Sequence, residues 1–313
     1  MEGVMDAPMR AVLAEIGGFD FAVSEFIRVS QQALKARAIA HKVPELTGAA
    51  LGRATLPIQV QLLGSSPELL AATALEACVA GARAIDLNFG CPSPTVIRRQ
   101  GGSALLRKPA EIQKIVAAVR SALPAIVPVS AKIRLGWEKP EEVHAIAQAA
   151  VDGGANWLVI HARTKGELYR PGVHWEPVRE VADRLPIPVV ANGDIFSVEE
   201  FKKCRAATGC RHFMLGRGIL ADPFLAQKIS RELKMDRGPS LLHAAEGTES
   251  LLTAIRRFVE IVEPHAPNSG YLPSRIKQWV RSAHTINPDR IPKPLLTAVG
   301  RARTTTDILA ILA

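Results

Sequence analysis

The clearest signal of the fold lies in residues 188–218, PVVANGDIFSVEEFKKCRAATGCRHFMLGRG. A short apolar run ends in ANGDI, an amphipathic stretch over 197–207 follows, and a second apolar run ends in LGRG. The stretch therefore predicts a strand, a helix that begins at a serine, and a second strand. This order in so short a segment is typical of a βα unit in a parallel sheet.

The same unit recurs along the first 218 residues, where apolar, β-branched runs alternate with helical patterns. The runs are almost continuously apolar, as in parallel strands that helices cover. They are FDFAVSEFI, PIQVQLLG, AIDLNFG, PVSAKIRLG, NWLVIHAR, PVVANGDI and HFMLGRG. The helices that we predict between them include Pro67–Ala80, Pro109–Ala122, Pro140–Asp152 and Ser197–Ala207. The pattern predicts an α/β fold, a (β/α)8 TIM barrel whose first strand is missing or truncated.

From about Gly238 the alternation gives way to helical patterns alone. These cover Leu241–Glu263, Leu272–His284, Lys293–Val299 and Thr305–Leu312. The sequence therefore predicts two domains, a barrel over 1–237 and a small all-α helical bundle over 238–313.

The composition is that of an ordinary globular protein, with 48% apolar and 22% charged residues. Four cysteines without a C-x-x-C pair argue against a zinc site and against a disulfide framework. No apolar run approaches the ~20 residues of a membrane helix, and the N-terminus lacks the pattern of a secretory signal. We expect a cytoplasmic monomer that binds neither metal nor membrane.

The net charge of +9 points to an anionic partner. The segment between Gly270 and Arg303 contains seven basic residues and one acidic residue, Asp289. Its local excess is therefore six positive charges. The seven are Arg275, Lys277, Arg281, Arg290, Lys293, Arg301 and Arg303. One alternative is a solvated helix face, but in a chain that is already basic the run favours a surface for a polyanion.

Polar side chains stand at the end of every predicted strand. In a barrel the carboxyl ends of the strands form one face, and the active site is built on that face. For Glu25, Gln59 and Asn88 an alternative stays open, namely hydrogen bonding within the barrel core. The residues at the predicted face are Glu25, Arg28, Gln59, Gln61, Asn88, Cys91, Lys132, Arg134, His161, Arg163, Asn192, Asp194 and Arg217.

The segments ANGDI and LGRG end the strands that we number seventh and eighth, after which barrels often bind phosphate. Gly193, Gly216 and Gly218 would let backbone N–H groups approach a phosphate, and Arg217 would supply charge. The sequence therefore favours a phosphorylated ligand at this edge of the barrel.

Lys132 and His161, on the fifth and sixth strands, point to the same ligand. A lysine inside an apolar strand is costly to bury without an anionic partner. Flavin mononucleotide (FMN) needs such a set, with phosphate donors on one side and cations near the N1–O2 edge of its ring. Gln61 could hydrogen-bond the polar edge of the ring.

Cys91 lies within LNFGCPSPTVIRRQGG, residues 87–102, at the end of a strand on the predicted active face. An unperturbed thiol has a pKa of about 8.5, so at neutral pH it can donate a proton while a flavin delivers a hydride. Positive neighbours would instead favour the thiolate and a nucleophilic role. We predict a catalytic cysteine rather than a small packing residue before a turn.

Ten stretches spread over nearly the whole chain resemble the tRNA-dihydrouridine synthase family. They are MEGVMD, SEFIRV, VQLLG, DLNFGCPSPTV, GGSALLRKP, KIRLGW, HARTK, ANGDI, GRG and RIKQW. SEFIRV, the LGW after Lys132 and RIKQW look most like the bacterial C-type members, which modify the uridine at position 16 of the D-loop. The resemblance implies an FMN-bound barrel and a helical domain that grips tRNA. It also implies reduction by NADPH (or NADH), hydride transfer to C6 of a flipped-out uracil and protonation of C5 by a cysteine.

Carried onto this chain, the resemblance makes Cys91 the general acid. The residues implied to contact FMN are Met1, Glu2, Gln61, Lys132, His161, Asn192, Gly193, Asp194, Gly216 and Arg217. The residues implied to meet the tRNA are Arg28, Asn88, Arg275, Lys277 and Trp279, although Trp279 is also a candidate for helix packing. The cations expected to face the RNA backbone near the thiol are Arg98, Arg99, Arg107, Lys108 and Arg163.

One feature departs from the family, whose members begin with an apolar strand that ends Ala-Pro-Met-Glu-Gly. This sequence begins at the Met-Glu-Gly. An open parallel barrel would expose two strand edges, so we expect a misplaced start rather than a truncated barrel.

Two other functions stay open from the sequence. A flavin barrel enzyme that acts on a free pyrimidine would share the phosphate site and the cysteine but would not need the basic helical tail. A non-catalytic RNA-binding relative would keep the tail without the flavin.

Overall fold

The computed structural model describes residues 3–49, 51–235, 240–242, 248–266, 268 and 270–313. All strands of this part of the chain run parallel in one sheet. They are β1 (Ala22–Val23), β2 (Ile27–Arg28), β3 (Ile58–Leu63), β4 (Ile85–Asn88), β5 (Val129–Arg134), β6 (Trp157–His161), β7 (Val189–Asn192) and β8 (His212–Met214). Each of the seven predicted runs forms a strand, and the first is broken into β1 and β2, which both pair with β3.

Helices alternate with the strands and then continue alone to the C-terminus. They are α1 (Ala7–Ile16), α2 (Ala36–Lys42), α3 (Pro67–Val79), α4 (Pro94–Arg98), α5 (Pro109–Ala122), α6 (Val143–Asp152), α7 (Glu176–Arg184), α8 (Val198–Thr208), α9 (Gly218–Ala221), α10 (Leu225–Glu232), α11 (Thr248–Val262), α12 (Tyr271–Ile286), α13 (Lys293–Arg301) and α14 (Thr305–Leu312). Short 3-10 helices cover Pro44–Thr47, Gly102–Arg107, Pro140–Glu142 and Glu263–His265.

Local capping sets the starts of the barrel helices as the sequence predicted. Ser66 and Ser197 accept backbone N–H groups in the first turns of α3 and α8, at 3.2 and 3.1 Å. Prolines occupy the first positions of α3 and α5, where no N–H partner is needed. The four predicted barrel helices are confirmed, but Pro140–Glu142 is a 3-10 turn. The helix predicted over Leu241–Glu263 begins at Thr248, and residues 243–247 lie outside the described residues.

The strand order is β1–β3–β4–β5–β6–β7–β8, with β2 also beside β3. This parallel sheet, surrounded by helices and followed by a helical C-terminal region, confirms the predicted fold class. Within the described residues no pairing joins β8 to β1 or β2, so the sheet stays open along one seam. The seam lies where the sequence left one barrel strand unaccounted for.

The described residues form two apolar cores. The first fills the space between the sheet and the helices around it. The second joins the C-terminal helices to α1 and α9, so that Met9 and Phe224 share a core with Phe258 and Trp279. Position 237, the predicted domain boundary, lies outside the described residues. None of the described helices combines the length and the apolar character that a membrane crossing requires.

Candidate active site

Cys91 lies in the loop directly after β4, and the side chain of Asn88 shapes that loop. Asn88 Oδ1 accepts the backbone N–H of Gly90 at 3.0 Å and that of Cys91 at 2.9 Å. The carbonyl of Cys91 accepts the N–H of Ser103 at 3.0 Å. The thiol is not in a disulfide and is half-buried, so it can meet a substrate at the carboxyl face of the sheet.

A chain of buried hydrogen bonds leads from Asn88 into the barrel. Asn88 Nδ2 donates to Gln61 Oε1 at 2.8 Å, and Gln61 Nε2 donates to Asp86 Oδ2 at 2.6 Å. The Ser130 hydroxyl donates to the other oxygen of Asp86. Since an ionised carboxylate only accepts hydrogen bonds, Asp86 fixes which way the amide of Gln61 faces, and through it that of Asn88. We call Asp86, Gln61 and Asn88 the amide relay.

Gln61 was predicted to meet a flavin ring. Its carbonyl and one of its N–H groups are engaged in the amide relay, which leaves the second N–H for such a contact. Burial raises the pKa of Asp86 to about 6 in spite of the hydrogen bonds from Ser130 and Gln61. The carboxylate is therefore ionised at neutral pH.

Arg134 ties the Cys91 loop to the loop after β6. Its side chain is only 2% exposed. Nε donates to the carbonyl of Gly90 at 2.9 Å, and Nη1 donates to the carbonyls of Thr164 and Leu168, each at 3.0 Å. The guanidinium also lies 5.2 Å from the ring of Tyr169. Arg134 thus holds both sides of the site in one arrangement.

Lys132 and His161 lie at the ends of β5 and β6, and their side chains have few hydrogen-bond partners among the described residues. Lys132 Nζ donates to Asn192 Oδ1 at 2.9 Å, and burial together with Arg134 lowers the pKa of Lys132 to about 8. His161 is 8% exposed, and in the described part of the chain neither ring nitrogen makes a hydrogen bond of good geometry. Burial and the nearby cations, Lys132 first, hold the pKa of His161 well below its usual value, so its imidazole is neutral.

Three glycines, Gly193, Gly216 and Gly218, were predicted to let the backbone approach a ligand. A Cβ at Gly218 would collide with the carbonyl oxygen of Ile195. Gly193 has φ +131°, and a Cβ there would lie 3.2 Å from His161 Nδ1. A side chain at this position would therefore press on the His161 ring. At Gly216 a Cβ would meet nothing within 4 Å in the described structure, so the space beside it is open.

Asp194 pairs with two arginines beyond the end of β7. Both terminal nitrogens of Arg163 donate to its carboxylate, and Arg217 Nη2 donates at 3.1 Å. Arg217 also lies over the ring of Tyr169, 4.7 Å from its centroid, and 32% of its side chain stays exposed. A ligand can therefore reach Arg217.

The tRNA contact predicted for Arg163 is wrong. Its side chain is 1% exposed and is committed to Asp194, so it does not reach an RNA backbone. Arg98 and Arg99, by contrast, are exposed at the end of α4 and directly after it. Arg28 is half-buried, 5.3 Å from the ring of Phe26. Met1 and Glu2 lie outside the described residues.

Two of the tail residues predicted to contact tRNA, Lys277 and Trp279, make hydrogen bonds within the chain. Lys277 Nζ donates to the carbonyl of Ala302 at 2.6 Å. Trp279 is 2% exposed, donates its indole N–H to the carbonyl of Leu220 at 2.9 Å, and packs edge-on against Phe258. The tRNA contact predicted for Trp279 is therefore wrong, and the packing alternative is the one that the structure shows.

Arg275 reaches from α12 to the segment that precedes α1. Its terminal nitrogens donate to the carbonyls of Gly3 at 2.7 Å and Val4 at 3.2 Å, and to Asp6 Oδ2 at 2.8 Å. The N–H of Val4 in turn donates to Glu25 Oε1 at 3.0 Å, between β1 and β2. The arginine predicted to grip tRNA thus fastens the N-terminal segment to α12.

Replacing Arg275 with alanine should lower the free energy of unfolding by about 2 kcal/mol, because two hydrogen bonds to partly buried acceptors, Val4 and Asp6, and one to the exposed carbonyl of Gly3 are lost. The salt dependence of tRNA binding should stay as in the wild type. Chemical denaturation and binding titrations at several salt concentrations measure the two quantities. Arg281→Ala, which removes an exposed arginine of the same helix, is the matched control and should change stability by no more than ~0.5 kcal/mol. A flattened salt slope in Arg275→Ala with unchanged stability would restore the original interpretation.

Sequence reasoning missed several residues of the site. Asp86 lies inside a buried strand. An acidic residue among apolar ones was the one feature of the sequence that could have indicated a role in the site. Tyr169 lies in the loop after β6 and carries no motif of its own, yet its ring meets Arg134 and Arg217. Arg134 was placed at the active face, but nothing in the sequence indicated its three carbonyl partners.

The fold and the site together define a TIM-barrel enzyme with a strand-end thiol beside a cluster of buried cations. A family model described as dihydrouridine synthase (Dus) matches residues 1–290. A protein of Aquipseudomonas alcaligenes named tRNA-dihydrouridine(16) synthase is 40% identical over 291 residues, which cover 93% of this chain and 90% of that protein. One of Shewanella oneidensis with the same name is 38% identical and covers 100% of this chain and 95% of its own length. The chain belongs to the dihydrouridine synthase family.

A solved structure supports the fold alone. Histamine dehydrogenase from Rhizobium sp. 4-9 superposes with a TM-score of 0.54 at 15% identity, over 83% of this chain and 47% of that one. Family membership makes the chain an enzyme of the class that the resemblance predicted, and it disfavours the two alternatives left open by the sequence.

Proposed function

We propose that this chain reduces uridine to 5,6-dihydrouridine in the D-loop of tRNA, at position 16, as a monomer that uses FMN and NADPH or NADH. The observation that carries the proposal is the half-buried thiol of Cys91, which is in no disulfide. Asn88 holds its loop at the carboxyl face of the sheet, the face that also bears Lys132 and His161. The name that the relatives carry supports both the substrate and the position.

The residues present fit a flavin. His161 is buried with both ring nitrogens free of well-formed hydrogen bonds to the described residues, and a group with donors and acceptors at its edge would complete them. Lys132 is a half-buried cation whose one hydrogen-bond partner among the described residues is a neutral amide, so an electron-rich ring edge would favour its charged form. Arg217 would meet the phosphate. When bound and reduced, such a flavin supplies the hydride for C6 of the base.

The chain itself would supply the proton and the orientation of the base. Cys91 would donate its thiol proton to C5, on a loop fixed by Asn88 and Arg134. Asn88 keeps one N–H beyond its bond to Gln61, so it would donate to a carbonyl oxygen of the uracil rather than accept from its ring N–H. The base must leave its stack to reach this site, and phosphate contacts would hold the rest of the tRNA in place.

The decisive experiment supplies the purified protein with FMN, NADPH and an unmodified tRNA transcript. Dihydrouridine at position 16, detected as the mass gain of two hydrogens in nuclease fragments, is the expected result. A colourless protein that does not bind FMN, or an unmodified tRNA after exhaustive incubation, would refute the proposal. Equal turnover of free uridine or another free pyrimidine would favour the enzyme of small substrates instead.

Replacing Arg217 with alanine should weaken FMN binding by ~1.5–3 kcal/mol, the usual value of a charge-assisted contact. Asp194 keeps its pair with Arg163 in this variant, so no carboxylate is left alone. Equilibrium titration of apoprotein with FMN measures the change. Arg211→Ala, an exposed arginine at the opposite end of β8, is the control with the same loss of charge. FMN affinity that is equal in both variants would take Arg217 out of the cofactor site.

A further inference from the structure

Trp137 carries two cations on the active face. Its ring centroid lies 4.2 Å from Cζ of Arg107 and 4.3 Å from Nζ of Lys165. The two charges are thus at most about 8.5 Å apart. Within the described part of the chain neither is ion-paired to a carboxylate. Two like charges held this close without an acid repel each other, and an anion that contacts both side chains at the edge of the ring would offset that repulsion.

The three residues come from three different loops that are fastened to one another. Arg107 ends the 3-10 helix Gly102–Arg107, Trp137 follows β5, and Lys165 follows β6. The N–H of Lys165 donates to the carbonyl of Gly136 at 2.8 Å, and that of Gly166 donates to the carbonyl of Trp137 at 3.0 Å. These two backbone hydrogen bonds fix the loop that carries Trp137 against the loop that carries Lys165, and we call the two loops the frame. A cation over an aromatic face is attracted by the quadrupole of the ring.

The frame is continuous with the loop of the candidate thiol. The N–H of Ser103, at the start of the same 3-10 helix, donates to the carbonyl of Cys91 at 3.0 Å. The NH of Trp137 donates to Glu142 Oε2 at 2.7 Å, which holds the β5 side. The residues proposed for the FMN phosphate follow β7 and β8, whereas these two cations follow β4 and β6, and exposed Arg98 and Arg99 also follow β4.

We propose that Arg107, Trp137 and Lys165 form a phosphate clamp that binds the sugar–phosphate backbone of the tRNA next to the extruded base. The inference rests on the proposed function, since it names where that substrate is held. In the clamp the indole of Trp137 holds the side chains of Arg107 and Lys165 in place before the phosphate binds. The loss of side-chain conformational entropy on binding is therefore smaller. Arg107 and Lys165 contact phosphate oxygens and carry no sequence preference.

The test compares two double variants that lose the same charge. Arg107→Ala/Lys165→Ala removes the clamp. Arg83→Ala/Arg211→Ala removes two exposed arginines before β4 and β8, at the opposite end of the barrel. Each protein binds an unmodified tRNA transcript at several salt concentrations, and log Kd is plotted against log salt. Flavin content and the rate of flavin reduction by NADPH are measured in parallel.

For the clamp variant we expect the slope of log Kd against log salt to be smaller by about 1.4–1.8. This is the change expected when the counterions of two phosphates are no longer released on binding. We expect Kd to rise at least about tenfold, because one charge-assisted contact alone has that size. The control variant should keep the wild-type slope, and both should reduce flavin normally. Trp137→Leu keeps both charges, so its slope should stay near the wild type while Kd rises.

Three results would overturn the clamp. The first is an equal slope in the two double variants, and the second is a wild-type Kd in Trp137→Leu. The third is slower flavin reduction by NADPH with unchanged tRNA affinity, which would assign the cations to the dinucleotide. Failure of the wild type to form dihydrouridine would instead count against the proposed function, so the two failures are distinguishable.

Discussion

Replacing Cys91 with alanine should lower the rate of dihydrouridine formation about 100- to 10,000-fold, the usual contribution of a general acid. Flavin content and tRNA affinity should stay as in the wild type. The loop is held through the backbone of Cys91, whose N–H and carbonyl bond to Asn88 and Ser103, and alanine keeps both bonds. Single-turnover reactions with protein reduced beforehand measure base reduction apart from the NADPH step.

The chain offers a matched control in Cys78, a second half-buried thiol that is in no disulfide. Cys78 lies in α3, away from the active face, and burial raises the pKa of its thiol. Cys78→Ala should react at the wild-type rate. Cys91→Ser should keep part of the activity, because a hydroxyl still donates a proton, though less readily. A Cys91→Ala variant as fast as Cys78→Ala would assign the proton to another donor.

The strands were predictable because each is a run of apolar, β-branched residues between helices with clear start signals. The break in the first run was not. Ser24 Oγ accepts the N–H of Gln61 at 3.1 Å, so a side chain takes a bond that the strand ladder would otherwise make. The hydroxyl lies at the break between β1 and β2, where four steps along the first run match three along β3. No local pattern in the sequence predicts such a long-range partner.

The candidate site was predictable in position but not in the direction of its side chains. Strand ends placed Cys91, Lys132 and His161 on one face, because parallel strands share a carboxyl edge. Charge alone could not tell an arginine that faces solvent from one that pairs within the chain. Arg163 and Arg275 both find carboxylates distant in sequence, Asp194 and Asp6, and such pairs appear only once the fold brings them together.

Asp86 shows most clearly how a buried residue can act at a distance from the chemistry. It is fully buried, and it touches neither Cys91 nor the open face. Through the amide relay, however, it decides that Asn88 Oδ1 faces the N–H groups of Gly90 and Cys91. Were the Gln61 amide to turn round, its nitrogen would face Asn88 Nδ2, and Asn88 would turn in its place. Asp86 is thus a positioning residue for the Cys91 loop.

Acidification probes the relay in the wild type. Burial raises the pKa of Asp86 from 3.8 to about 6, so the folded protein binds this proton more tightly than the unfolded chain. The contribution of Asp86 to the free energy of unfolding therefore falls as the pH rises from 3.8 to about 6 and is constant above that. Below about 6 the neutral acid keeps only part of its capacity to accept hydrogen bonds. We expect the rate of base reduction to fall there.

Replacing Asp86 with leucine should lower the rate of base reduction about 100-fold, because a loop misplaced by an ångström costs about that much. The variant has no acceptor for Gln61 Nε2 or for the Ser130 hydroxyl, so nothing fixes the direction of the relay. Asp86→Asn, which like the protonated acid keeps one carbonyl oxygen for Gln61, should reduce the base faster than the leucine variant, at about the rate of the acidified wild type, and should lose the pH dependence near 6. Flavin content and tRNA affinity show that the variants are folded. If leucine and asparagine reduce the base equally fast, the direction of the relay has no influence on Cys91, and Asp86 serves only the barrel core.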